Sequence, residues 1–172
     1  APGDGYVPKT GWKIEASSEF FDSAPRMIDG NTNTYWHSNY RAEAGSIVEK
    51  DELPFIIDVT LPEATVISGV EILPRQGDNP AGLPTRVKYY AEQDGEWVLL
   101  FDASYPRGES LKRQAFARNI EITKFRIEFV EAVQGFGTLA EIYFLSKDDE
   151  KETVTAKELV VIEEKEALYP LD

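Results

Sequence analysis

The sequence predicts an all-β, antiparallel fold of the sandwich or barrel type, and three observations carry that prediction. Alternating apolar and polar residues recur through the middle of the chain at the period of two that puts successive side chains on opposite faces of a strand. Clusters of Gly, Pro, Asn and Asp separate these runs. No stretch of the body shows a capped helical repeat. Several short strands with such punctuation favour two packed antiparallel sheets or a closed barrel. A length of 172 residues suffices for one well-buried domain and is short for two.

In chain order, "PFIIDVTL" sets Phe55, Ile57, Val59 and Leu61 on one face and Ile56, Asp58 and Thr60 on the other. "TVISGVEIL" reads as a further short strand. "RVKYYAEQDGEWVLL" holds two β-rich runs around Asp94–Gly95, a pairing that favours a tight hairpin turn because both residues tolerate positive φ. "KFRIEFV" alternates Phe125, Ile127 and Phe129 against Arg126, Glu128 and Val130, and "AEIYFL" closes the set. Long loops are expected at roughly 32–54, 74–84 and 104–110. In a sandwich such loops gather at the two ends, where binding function usually sits. The domain is expected to span 1–146. Residues 147–172 read as an acidic linker or C-terminal trailer leading to a further domain, with "ELVVIEE" as one added strand.

Composition narrows the function. An apolar content of 42% with 12% aromatics is that of a globular chain. No apolar run approaches the roughly 20 residues that cross a bilayer, so no membrane insertion is expected. A formal net charge of −13 argues against nucleic acid and anionic lipid, both of which reward a basic footprint. The absence of cysteine rules out disulfides, thiolate metal sites and a cysteine nucleophile. A chain that opens on Ala1 suggests a removed leader or an excised segment.

The densest cluster of turn formers is "RMIDGNTNTYWHS", which ends on Trp36 and His37, the single histidine. Asp29, Asn31 and Asn33 fall at the first, third and fifth places of an EF-hand loop. The remainder of that pattern fails, with Thr34 where glycine is needed and Tyr40 where glutamate is needed. Taken alone, the segment is an oxygen-rich Asx-type turn.

The body as a whole, over about 10–146, resembles the discoidin family, or coagulation factor V/VIII type C domains. Within it the likeness is nearest to family 32 carbohydrate-binding modules and the amino-terminal domain of galactose oxidases. "MIDGNTNTYWHS", "PFIIDVTLPEATVISGVEILPRQ", "DGEWVLL", "KFRIEFVEA" and "GTLAEIYFL" carry the resemblance, in family order. It implies an eight-stranded jelly-roll β-sandwich. It also implies a structural cation, usually Ca2+, held by Asp29, Asn31, Thr34 and Glu141 with the backbone oxygens of Arg26 and Ala140. Two carboxylates with carbonyl and hydroxyl oxygens suit a hard cation of six or seven ligands.

The same resemblance makes His37 a sugar-binding residue, whereas a lone histidine is otherwise more often a satisfied surface group. Arg75 in "LPRQ" offers a planar donor fork to sugar hydroxyls, against the bland alternative of a surface salt bridge. Asn79, in the same loop, can add a donor and an acceptor. Tyr40 and Phe136 are expected as aromatic walls, with Phe136 placed on an exposed loop by its flanking glycines and Tyr40 the weaker of the two.

Enzymatic readings find little support. No nucleophile-elbow motif accompanies His37, no carboxylate spacing singles out a glycosidase pair, and no Gly-rich phosphate loop is present. The expected function is therefore non-catalytic recognition of galactose-type or N-acetylhexosamine sugars on a glycan. The module would be tethered to other domains of a secreted, surface or periplasmic bacterial protein. A protein-binding discoidin module and a spacer without ligand are the alternatives.

Overall fold

The structure is a computed structural model, and it describes residues 4–168. Its strands are β1 (Lys13–Ala16), β2 (Trp36–His37), β3 (Tyr40–Glu43), β4 (Ser46–Lys50), β5 (Phe55–Leu73), β6 (Pro84–Gln93), β7 (Glu96–Ser104), β8 (Lys112–Ala132), β9 (Thr138–Leu139), β10 (Glu141–Ser146) and β11 (Thr153–Val154), followed by helix α1 (Ala156–Leu168).

Two of these strands are long enough to serve both layers of a sandwich. The first part of β5 pairs with the last part of β8, from Phe55↔Phe129 to Thr60↔Lys124. After register shifts between Thr60 and Thr65 and between Ile67 and Gly69, the rest of β5 pairs with the first part of β8. Such irregularities bend a strand and let it change sheets. One layer then runs β1, β5, β8, β6, β7, and the other runs β10, β5, β8. Counted by layer, five strand segments face three, all antiparallel, which is the eight-stranded jelly-roll sandwich expected from the sequence.

The alternation read from sequence is the alternation of burial. Phe55, Ile57, Val59 and Leu61 from β5 and Phe125, Ile127 and Phe129 from β8 are buried and meet Val70, Ile72, Ile142 and Phe144 across the core. Burying a side chain of this size contributes about 1.5–3 kcal/mol. The β6–β7 hairpin turns at Asp94 (φ 52°) and Gly95 (φ 82°), the left-handed pair that an Asp-Gly turn supplies.

Two expectations are corrected. The 32–54 loop contains a hairpin, β3–β4, turning at Ala44 (φ 51°) and Gly45 (φ 80°). The described part of the tail, 147–168, packs on the domain rather than forming a free linker, and "ELVVIEE" is helical rather than a strand; 169–172 lie outside the described residues. Thr155 accepts the Glu158 N–H at 3.1 Å, and its hydroxyl reaches the Glu158 carboxylate at 3.0 Å. That is a helix-capping pair which outweighs the strand preference of Val160 and Val161. Helix α1 buries Ala156 and Leu159. The buried Asn119 holds the preceding turn through Asp148 N–H at 2.9 Å and the Asp148 and Lys151 carbonyls at 2.9 and 2.7 Å. No described helix is long and apolar enough to cross a membrane.

Candidate functional site

The Arg26–Ser38 segment crosses one end of the sandwich and divides there into two corners. Trp36 fixes it. Its indole is fully buried, lies edge-on to Phe129 at 5.4 Å between ring centres and to Phe55 at 6.0 Å, and donates from Nε1 to the Ser18 carbonyl at 2.8 Å. Strand alternation then carries His37 to the opposite face, outward from the core.

His37 is held in one tautomer. Its Nδ1 lies 2.7 Å from the Ser38 carbonyl oxygen, which can only accept, so Nδ1 carries the hydrogen and Nε2 remains an acceptor. Burial lowers the His37 pKa, the Ser38 carbonyl works against that, and the Arg75 charge reinforces it. The imidazole is therefore neutral at pH 7.

Arg75 leaves the end of β5 with its guanidinium 4.1 Å above the centre of the Tyr35 ring. Among the described residues no carboxylate lies within ion-pair distance of it, so its N–H groups are not committed to an internal acid. The loop behind Arg75 is tied down by Glu109, whose carboxylate accepts the Gly77 and Asp78 N–H groups at 3.3 and 2.5 Å. Asn79 lies further along the same loop. Its Oδ1 accepts the Ala81 N–H at 3.0 Å, so the expected acceptor is already used and the amide NH2 is what it offers. Ala81 in turn accepts from Thr138, which pairs with His37 across β2 and β9, so the loop closes back on the histidine.

The aromatic walls differ from expectation. Phe136 sits 5.3 Å from His37 and 5.9 Å from Tyr40 between ring centres, but it is only 7% exposed, with the Lys50 ammonium 5.3 Å over its ring. Its placement on an exposed loop is corrected. Gly137 is there because a Cβ would lie 2.5 Å from the Trp36 ring, and Gly135 because its φ is 73°. The glycine pair marks close packing. Tyr40 is half-buried, 4.8 Å from His37, and one of its faces is stacked on Phe20 at 4.5 Å. Tyr35, Lys50 and Phe20 are neighbours that the sequence reading did not single out. "SSEFFDSAP" held the signal for Phe20, an aromatic pair set among turn residues.

The second corner holds the residues expected as cation ligands. Asp29 accepts the Asn31 N–H at 2.9 Å and the Thr34 hydroxyl at 2.5 Å, and Asn31 Oδ1 accepts the Asn33 N–H at 2.9 Å. The Arg26 carbonyl lies in the 3-10 turn Ala24–Ile28, just before Asp29, and Ala140 joins β9 to β10 directly beside Glu141. Glu141 is fully buried, its Oε2 takes the Lys9 ammonium, and its Oε1 has no partner. Burial and the facing Asp29 carboxylate raise the Glu141 pKa to about 7, with Lys9 opposing. A buried orphan carboxylate oxygen facing a second carboxylate, among hydroxyl and amide oxygens, fits a hard cation. Lys9 supplies part of the neutralising charge.

The chain is similar to known proteins in sequence and in structure. The F5/8 type C domain model matches residues 13–142. A Flavonifractor plautii protein, an A type blood N-acetyl-α-D-galactosamine deacetylase, is 27% identical over 140 residues, or 79% of this chain and 17% of that protein. Galactose oxidase of Gibberella zeae is 26% identical over 96 residues, 55% of this chain and 13% of the enzyme. The chain thus spans less than a fifth of these relatives. Among solved structures, the family 32 carbohydrate-binding module of Clostridium perfringens NanJ, in complex with galactose, superposes with a TM-score of 0.72 at 26% identity, covering 81% of this chain and 97% of that module. A second C. perfringens family 32 module, bound to GalNAc-β-1,3-galactose, gives 0.73 at 27% identity, covering 82% and 99%. With the family model covering most of the chain and both modules sharing its sandwich almost end to end, the chain belongs to the F5/8 type C (discoidin) family and has the fold of its carbohydrate-binding modules.

Proposed function

We propose that this chain is a non-catalytic carbohydrate-binding module that takes a galactose-type sugar, galactose or N-acetylgalactosamine, at the His37–Arg75 corner. The observation that carries the reading is the pairing of an acceptor with a donor. His37 Nε2 is kept unprotonated beside a guanidinium held on a ring rather than on an acid. A sugar hydroxyl donates once and accepts twice, so it matches that pair. The Asn79 amide adds a donor to a neighbouring hydroxyl, and Tyr40, packed against the buried Phe136, borders the apolar C–H face of the ring. The F. plautii relative and the two C. perfringens modules, named for or bound to sugars of this class, support the choice of ligand.

A few hydrogen bonds at about 1 kcal/mol each, on a shallow surface, give dissociation constants on the order of 0.1–1 mM. Useful retention then comes from tethering to other domains or repeated modules. A larger extracellular or surface-attached bacterial protein that acts on glycans is the parent this implies. The Asp29–Glu141 corner is proposed to hold a structural Ca2+ through Asp29, Asn31, Thr34 and Glu141 with the Arg26 and Ala140 carbonyls. The ion would link the early turn to the last core strand and take no part in sugar contacts.

Isothermal titration with galactose, N-acetylgalactosamine and N-acetylglucosamine tests the reading. Binding of the first two, weakened about tenfold or more in Arg75→Ala with melting little changed, is the expected result. Equal binding of all three sugars by wild type and variant would overturn it.

A further inference from the structure

Phe21 is the most exposed large apolar residue described, at 81%, and it stands on a backbone that most residues avoid. Phe21 and Asp22 are consecutive non-glycine residues in the left-handed region, at φ 50° and 51°. Backbone of this kind persists only where its surroundings hold it, and it concentrates at functional positions. Here the surroundings are the proposed sugar corner itself. The Ser18 carbonyl receives Trp36 Nε1 at 2.8 Å, the Phe20 N–H donates to the His37 carbonyl at 2.8 Å, and Ser23 Oγ accepts the His37 N–H at 3.1 Å. Glu19 accepts the Ala24 N–H at 2.9 Å and closes the loop on itself. The Ser18 hydroxyl also donates to the Asp51 carboxylate at 2.7 Å and accepts the Asn39 N–H at 2.8 Å, and the Ser23 carbonyl accepts the Arg26 N–H at 3.0 Å. The loop is thus tied to Trp36, His37 and their neighbours, and none of these hydrogen bonds engages the Phe21 ring.

The rings form a continuous series. His37 lies 4.8 Å from Tyr40, Tyr40 is stacked on Phe20 at 4.5 Å and 18°, and Phe20 lies 4.3 Å from Phe21 at 59°. The series starts at His37, the acceptor of the proposed pair, and ends at an open ring on a loop that is itself bonded to Trp36 and His37. We propose that Phe21, backed by Phe20, is a second sugar-contact position, which takes the unit next to the terminal galactose-type sugar. The inference rests on the reading of the His37–Arg75 corner as the primary position. The occupant is a pyranose ring because aromatic faces take its C–H side without charge, and because the position is continuous with a hydroxyl-reading pair. The net charge of −13 disfavours an anionic bilayer at the same ring.

The experiment titrates galactose, and a panel of galactose-terminated disaccharides and trisaccharides, into wild type, Phe21→Ala and Phe21→Tyr. At least one extended sugar is expected to bind wild type about fivefold or more tightly than galactose. Phe21→Ala should return that sugar to the galactose level and leave galactose itself unchanged, and Phe21→Tyr should keep the gain. Galactose binding with no Phe21-dependent gain for any extended sugar overturns the second position alone. No binding of galactose or of any panel member overturns the primary position as well. Sedimentation with phosphatidylcholine vesicles that depends on Phe21 would assign the ring to a lipid surface and overturn the proposal.

Discussion

The turn half of the Arg26–Ser38 segment sets the exposed Asp29 carboxylate beside the buried Glu141, whereas its strand half lies beside polar groups left unmatched at a surface. At the turn, Glu141 is fully buried, Lys9 meets one of its oxygens, the other has no hydrogen-bond partner, and the nearby Asp29 carboxylate helps to raise its pKa. At and beside the strand, His37 Nε2, the Arg75 guanidinium and the Asn79 amide have backbone or ring supports and no hydrogen-bond partner of their own among the described residues. The first corner's groups interact within the fold, and the second corner's groups are the ones proposed to meet a ligand. Removing a group from the first should cost stability, and removing one from the second should cost binding.

The largest expected effect breaks the turn corner. Glu141→Ala leaves the part-buried Lys9 ammonium without its acid and removes a proposed ion ligand. Loss of one partner of a buried pair costs about 3–5 kcal/mol. A fall in melting temperature on the order of 10 °C follows for a domain of this size. Chelator should lower the melting temperature of wild type and have no further effect on Glu141→Ala or Asp29→Ala. An undiminished chelator effect in both variants would remove the ion from this corner.

Phe136→Ala comes next, and it sharpens the boundary between the corners. Phe136 borders the sugar corner, yet it is buried against Tyr40, His37 and Lys50. Its truncation is expected to destabilise by about 3 kcal/mol, the low end for a buried Phe, because the loop around it can relax. Sugar affinity should fall in the same variant. A weakened affinity at unchanged melting would return Phe136 to the role of an exposed wall.

How far each corner could be read from sequence follows from what carried the reading. The period-two runs in "PFIIDVTL" and "KFRIEFV" fix burial directly, because a strand has only two faces and the polar residues choose the outer one. The two-layer path of β5 was less visible. "PFIIDVTL" and "TVISGVEIL" read as separate strands and are the two halves of one bent strand. The valines of helix α1 favour a strand, whereas "TAKE" carries the capping signal that decides for the helix. Among the site residues, the resemblance named positions and left exposure open. A glycine next to Phe136 reads the same whether it frees a loop or lets a backbone lie against Trp36, and only the packed structure separates the two. Lys9 and Phe21 belong to contacts made across the chain, or to a local backbone state, that no spacing announces.

Arg75→Ala is expected to act in the opposite sense to Glu141→Ala. It removes charge-assisted donors from the ligand and only a partly exposed cation–ring contact, worth about 0.5–1 kcal/mol, from the fold. Binding should weaken about tenfold or more, equivalent to about 1.4 kcal/mol, while melting moves little. Arg75→Lys should recover little of the loss, because an ammonium cannot reproduce the planar fork on Tyr35. A large loss of stability in Arg75→Ala would erase the contrast between the corners.

The smallest effect is the pH response of His37, and it tests the tautomer on which the sugar corner depends. In the fold, burial holds the His37 pKa below its ordinary value, with the Arg75 charge adding to the shift. A base whose pKa is lower folded than unfolded binds more protons when unfolded, so stability rises with pH across the interval between the two values. Its contribution is complete above the ordinary histidine pKa of about 6.5 and falls away as pH drops toward the folded value. Sugar binding should follow the folded value alone. Above it, Nε2 accepts from a hydroxyl. Below it, both ring nitrogens donate, and the imidazolium also faces the Arg75 charge, so the acceptor is lost and the corner carries like charges side by side. Affinity for galactose should therefore be level from pH 8 down past 6.5 and decline only at lower pH. The unfolding free energy should begin to fall earlier, near the ordinary histidine value. His37→Gln retains a neutral donor and acceptor, and it should bind weakly but without the acid decline. If affinity instead declines between pH 8 and 6.5, or declines equally in His37→Gln, the neutral imidazole is not the acceptor at this corner.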